Sequence, residues 1–110
     1  MNENDISEVK EYFQMRADQM GPNYTIVSSY EYLEKDGEVW GVRVLFSSMQ
    51  ANTYQSVFVL ESHRGKGLMK EFAVENVAKT GVPFITADEC NIAEWFRKHR
   101  IPFLLVPLTI

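Results

Sequence analysis

From Val57 to Lys70 the chain reads Val-Phe-Val-Leu-Glu-Ser-His-Arg-Gly-Lys-Gly-Leu-Met-Lys, an apolar strand running into a basic, glycine-bearing turn that opens a helix. This succession limits the fold to one in which a strand end meets a helix start. A helix start carries unpaired backbone N–H groups and the positive end of the macrodipole, which suits a bound anion. Gly65 and Gly67 remove side chains where a phosphate would approach the backbone. Arg64, Lys66 and Lys70 add positive charge around the same point.

The flanking pattern extends this joint into a mixed sheet. Ile6, Val9, Tyr12, Phe13 and the stretch 16–20 recur at helical spacing, with Asp5 or Ser7 available as a cap, and Gly21-Pro22-Asn23 stops that helix. Tyr24 to Leu33 alternates as a strand. Lys35-Asp36-Gly37-Glu38 then supplies a hairpin turn, and Val39 to Phe46 returns with Trp40, Val42, Val44 and Phe46 on one face. After a polar loop, Thr53 to Leu60 is the third strand, followed by a helix over 66–79 that Gly81 and Pro83 end. Phe84 to Ala87 reads as a short buried strand and Asn91 to His99 as a helix with an apolar stripe. Residues 101–108 read as a last strand shortened by Pro102 and Pro107. The expected order is α-β-β-β-α-β-α-β. That is one α/β domain over residues 1–110, with an antiparallel hairpin followed by a βαβ unit.

Three phosphate-binding patterns compete for the turn. A P-loop needs Gly-Lys followed by Ser or Thr, but Lys66 is followed by Gly67. A dinucleotide fingerprint needs a glycine three positions past Gly67, where Lys70 stands. The remaining pattern is Arg/Gln-x-x-Gly-x-Gly/Ala, which Arg64-Gly65-Lys66-Gly67-Leu68 meets, with Met69 in place of the small residue.

In this turn, in the apolar strand Val57-Phe58-Val59 before it, and in the spacing from Asn91 to Phe103, the chain resembles the GNAT-type, acetyl-CoA-dependent N-acyltransferases. The resemblance covers residues 24–106, and it implies a short, truncated form of that family's splayed sheet, with coenzyme A between the third and fourth strands. It further implies that the backbone of Val57, Phe58 and Val59 holds the pantetheine and acetyl group. The pyrophosphate would lie on the turn formed by Arg64, Gly65, Lys66, Gly67, Leu68, Met69 and Lys70, and Asn91 would contact the coenzyme arm. The reaction implied is transfer of an acetyl group from acetyl-CoA to an amine, carried by a small molecule or a protein. The alternative is a catalytically silent module of the same shape that binds CoA or a protein partner.

Direct attack by an amine needs a route for its proton and an acid for the leaving thiolate, but no covalent nucleophile. A backbone amide near Val59 could polarise the thioester carbonyl. Members of the family often carry a Tyr seven residues after the Asn matched by Asn91, where this chain has Lys98, beside His99. Lys98, His99 and Tyr54 are therefore the candidate proton donors. His99 falls on the apolar stripe with Ile92, Trp95 and Phe96, and Tyr54 on a sheet strand, where packing is the commoner role. Glu61 and His63, at the end of the strand, and Glu31 are candidate bases, although exposed charges of this kind are more often simply solvated.

Composition narrows the remaining classes. The net charge of −4 argues against bulk attraction to nucleic acid, and Arg97-Lys98-His99-Arg100 reads first as the cationic end of a helix. No apolar run approaches the roughly 20 residues that span a bilayer. Cys90 is alone, which points to a reducing, cytoplasmic setting, and His63, Cys90 and His99 do not have the spacing of metal ligands. Set beside that family's pattern, the sheet implied here is short of an edge strand, which leaves backbone groups that a second copy could cover in a homodimer.

Overall fold

The computed structural model describes residues 3–26, 30–86 and 91–106. Helix α1 (Glu3–Met20) is followed by strands β1 (Tyr24–Ile26), β2 (Glu31–Lys35), β3 (Glu38–Ser48) and β4 (Thr53–Val59). A 3-10 turn over Glu61–His63 leads to α2 (Leu68–Thr80), β5 (Phe84–Thr86), α3 (Asn91–Lys98) and β6 (Phe103–Leu105). The strands form one mixed sheet. β1 and β2 both pair antiparallel with β3, β3 pairs antiparallel with β4, and β4, β5 and β6 are parallel. The expected α/β class, with an antiparallel half before a βαβ unit, is what forms.

The sheet separates two apolar layers. On one face α1 lays Val9, Phe13 and Met20 against Val42, Val44, Phe46 and Phe58. On the other, Ala73 of α2 and Phe96 of α3 pack with Phe84 and Ile101. β5 contributes to both, Phe84 to one layer and Ile85 to the other, as a strand covered on both sides must.

The hairpin turn forms where Asp36-Gly37 predicts it. Both residues are left-handed (φ 53° and 81°), the backbone of a type I′ turn, and Lys35 faces Glu38 across it. Trp40 departs from expectation. Leu33 opposes Gly41 and Glu34 opposes Val39, so Trp40 is an extra residue in a bulge. Instead of continuing the row of Val42, Val44 and Phe46, its ring packs edge-on against Phe72 of α2, 5.9 Å between centroids. Next to it, Gly41 meets β4 so closely that a Cβ would lie 2.9 Å from the Phe58 carbonyl oxygen.

Other boundaries shift. Of the single strand expected over 24–33, the described residues form β1 and β2, both paired with the same edge of β3, while residues 27–29 lie outside the described residues. α1 begins at Glu3, so Asp5 and Ser7 lie inside the helix rather than capping it. α2 begins at Leu68 rather than near Lys66, because Gly65 and Gly67 are both left-handed (φ 78° and 76°). α3 ends in a Schellman motif: Ile101 N–H bonds to Phe96 O at 3.0 Å and Arg100 N–H to Arg97 O at 3.2 Å, with Arg100 left-handed at φ 56°. The cations of 97–100 therefore close a helix, as read from the sequence. The last strand is confined to Phe103–Leu105. The expectations for Ala87, Cys90, Pro107 and Leu108 lie outside the described residues. Among those described, no helix is long and apolar enough to cross a membrane.

Candidate functional site

Gln55 and Phe84 form the one register pair between β4 and β5 among the described residues, although β4 continues to Val59. The Gln55 N–H bonds to Pro83 O at 3.0 Å, and the Leu60 N–H goes the other way, to Trp40 O at 2.9 Å. Successive residues of a strand offer their backbone groups to alternate sides. The amides of Val57 and Val59 therefore point from β4 into the gap, past the end of the ladder.

The closed end of the gap is pinned by a buried network. Gln55 is fully buried; its Nε2 donates to Asn76 Oδ1 at 2.7 Å and to Val82 O at 2.8 Å, and its Oε1 accepts from Arg43 Nε at 2.6 Å. Arg43 in turn donates to Glu31 at 2.7 Å. Glu31 thus has a structural partner, at the end of the gap remote from the turn.

Two neighbouring spaces occupy the open side. An inner cavity of about 130 Å³ lies between Tyr12 and Arg16 of α1, Ser56 and Val57 of β4, and Ile85 and Thr86 of β5. An outer groove of about 610 Å³ is walled by the whole turn from Arg64 to Lys70, by Val59 and His63, and by Ile92, Trp95 and His99 of α3. Arg16, Met69 and Ile92 border both.

Among the described residues, the turn leaves the first amides of α2 unpaired. Gly67 occupies the N-cap position of α2 with no side-chain cap, and the first bond of the helix is Glu71 N–H to Gly67 O at 3.2 Å. The amides of Leu68, Met69 and Lys70 precede that bond, and no described group accepts from them. A Cβ on Gly65 or Gly67 would meet nothing within 4 Å, so the space over both is open. Arg64 folds back: its Nε donates to Val59 O at 3.0 Å and its guanidinium lies 5.4 Å from the centre of the Phe58 ring. Lys66 and Lys70 remain exposed on the rim.

The turn is tied to the hairpin on both sides. His63 Nε2 lies 3.3 Å from Glu38 Oε2 before it, and Lys35 Nζ lies 3.1 Å from Glu71 Oε2 after it. The other His63 nitrogen, Nδ1, is 2.9 Å from Ser62 Oγ. His99 is half-buried, its ring edge-on to Trp95 at 4.8 Å. Burial first, and then the charges of Lys70 and Lys98, hold its pKa below the usual 6.5.

The sequence-derived cradle residues Arg64 to Lys70 come together with Val57, Val59 and His99 around these spaces. Phe58 is the exception among the strand residues assigned to the coenzyme: its ring packs into the core beneath α1, and by the same alternation its amide and carbonyl face β3 rather than the gap, the carbonyl lying against Gly41. Met69 is a wall shared by cavity and groove rather than an obstruction above the turn. Glu61 and Lys98 are exposed and border neither space, and Tyr54 packs among the core residues beneath α1. Asn91 opens α3, but its side chain lies outside the described residues. Tyr12 and Arg16 were read from the sequence only as part of the α1 stripe, yet both line the inner cavity. A cation four residues after a tyrosine on an apolar helix face was the available signal.

Among the described residues no three His, Cys, Asp or Glu side chains are grouped as a metal site requires. Compared with known proteins, the chain matches no family model, no curated protein and no solved structure.

Proposed function

We propose that the protein binds acetyl-CoA in the gap between β4 and β5 and transfers its acetyl group to an amine, in the manner of a short GNAT-type N-acyltransferase. The observation that carries this reading is the parting of the two strands just before a turn with unpaired amides. The gap presents the amides of Val57 and Val59 to an extended chain, which can pair with a strand edge as another strand would. Pantetheine has that shape and amide spacing. The pyrophosphate then falls on the amides of Gly65 to Lys70, with Lys66 and Lys70 supplying charge.

The apolar wall of Ile92 and Trp95 suits the remainder of the coenzyme, and the thioester comes to rest by Ser56, Val57 and Thr86 at the inner cavity. There a β4 amide can polarise the carbonyl, and the amine attacks it directly. The experiment is calorimetric titration with acetyl-CoA, followed by an acyl-transfer assay over a panel of amines. Saturable binding with turnover on at least one amine supports the reading. Binding without turnover on any of them makes the protein a CoA-binding module instead, and absence of binding removes the proposal.

A further inference from the structure

We infer that Tyr12 of α1 is the proton donor to the departing CoA thiolate, with Arg16 as its positioning residue. This rests on the acyl-transfer reading above. The tyrosine that the family's pattern leads one to expect on the last helix is absent here, its place taken by Lys98, which is exposed and lines neither space. On the opposite wall the inner cavity has a phenol of its own. Tyr12 lines it, with its ring fixed edge-on against Phe13 and Phe58 at 5.3 and 4.8 Å. One turn further along α1, Arg16 donates from Nε to the Tyr12 oxygen at 3.4 Å and lies 5.3 Å from the ring centre. The guanidinium can only donate, so the phenol oxygen is the acceptor in that contact and its own proton points elsewhere. No described group takes it. The inner cavity that Tyr12 lines, where the thioester sulfur would sit, is open to it.

The step balances without a co-reactant. The amine nitrogen bonds to the carbonyl carbon, the carbon–sulfur bond breaks, and the sulfur takes the Tyr12 proton. The phenolate, held beside Arg16, regains a proton equivalent to the one lost by the amine. The products are the amide and free CoA thiol.

Tyr12→Phe keeps the ring and its packing and removes the proton, and its melting curve, matched to that of the unaltered protein, verifies the fold. With acetyl-CoA and an accepted amine, kcat should fall about 100-fold while KM for acetyl-CoA stays within about twofold. A readout independent of turnover is the ultraviolet titration of the thiol of bound CoA. A hydrogen bond to the thiolate favours the ionised form, so the bound thiol should titrate about one unit higher in Tyr12→Phe than in the unaltered protein. Identical thiol titrations in the two proteins, with CoA bound in both, would overturn this inference and leave the groove reading standing. Failure of CoA to bind the unaltered protein overturns both.

Discussion

Gln55 is joined to Phe84 at the point where β4 and β5 begin to part, and its side chain fastens the same point to Asn76, Val82 and Arg43. The width of the gap is set at this closed end. The Gln55 side chain is fully buried, so its replacement by an apolar one takes a hydrogen-bond partner from the Val82 carbonyl, the Asn76 side chain and the half-buried Arg43 guanidinium. Gln55→Leu should cost about 2–3 kcal/mol in urea unfolding, with a fall in melting temperature on the order of 10 °C.

Gly41 and Gly67 separate packing from binding. At Gly41 a Cβ would meet the Phe58 carbonyl at 2.9 Å, so Gly41→Ala should lose about 1–3 kcal/mol of stability through strain between β3 and β4. At Gly67 the space is open and the cost is the left-handed backbone, about 1–2 kcal/mol for Gly67→Ala. The affinity for CoA should fall tenfold or more in Gly67→Ala, because the new methyl group stands over the cradle. Parallel chemical denaturation and calorimetry on the two variants read both effects.

Arg100 holds a left-handed conformation that glycine adopts without strain. The Schellman bonds from Ile101 and Arg100 use backbone groups alone and survive the change. Arg100→Gly should therefore stabilise the protein by about 0.5–1 kcal/mol, seen as a higher urea midpoint at unchanged slope.

His99 gives the groove a pH dependence. Its pKa is lowered on folding, so between 6.5 and its folded value the unfolded chain binds more protons than the folded one. This contribution to stability is fully present above pH 6.5 and is lost as the pH falls through that window. His99→Gln should flatten it in melting curves recorded from pH 7.5 downwards. An anion beside His99, Lys66 and Lys70 favours the protonated ring, so CoA should bind with proton uptake and more tightly at lower pH. Calorimetry in two buffers of different ionisation enthalpy measures the uptake, which His99→Gln should abolish.

Much of the fold could be read from single residues with one backbone role. Asp36-Gly37 determined a type I′ turn and Gly81 ended α2, because few other residues take those conformations cheaply, whereas the left-handed Gly67 delays the start of α2 past the Lys66 expected from the pattern. The bulge at Trp40 could not be read, since alternation is the same on paper whether or not the partner strand skips a residue. In the candidate site, the strand–turn–helix joint from Val59 to Leu68 was legible because it is local, built from consecutive residues. The inner cavity was not: Tyr12, Val57 and Ile85 meet there only because three elements converge, and helical periodicity assigned Tyr12 and Arg16 to the packing stripe of α1.

The most direct test of the central claim is a calorimetric titration of the purified protein with acetyl-CoA, alongside Gly67→Val. Saturable binding at one site per chain, strongly weakened in the variant, is the predicted result. No heat of binding with the unaltered protein up to millimolar acetyl-CoA would contradict the account.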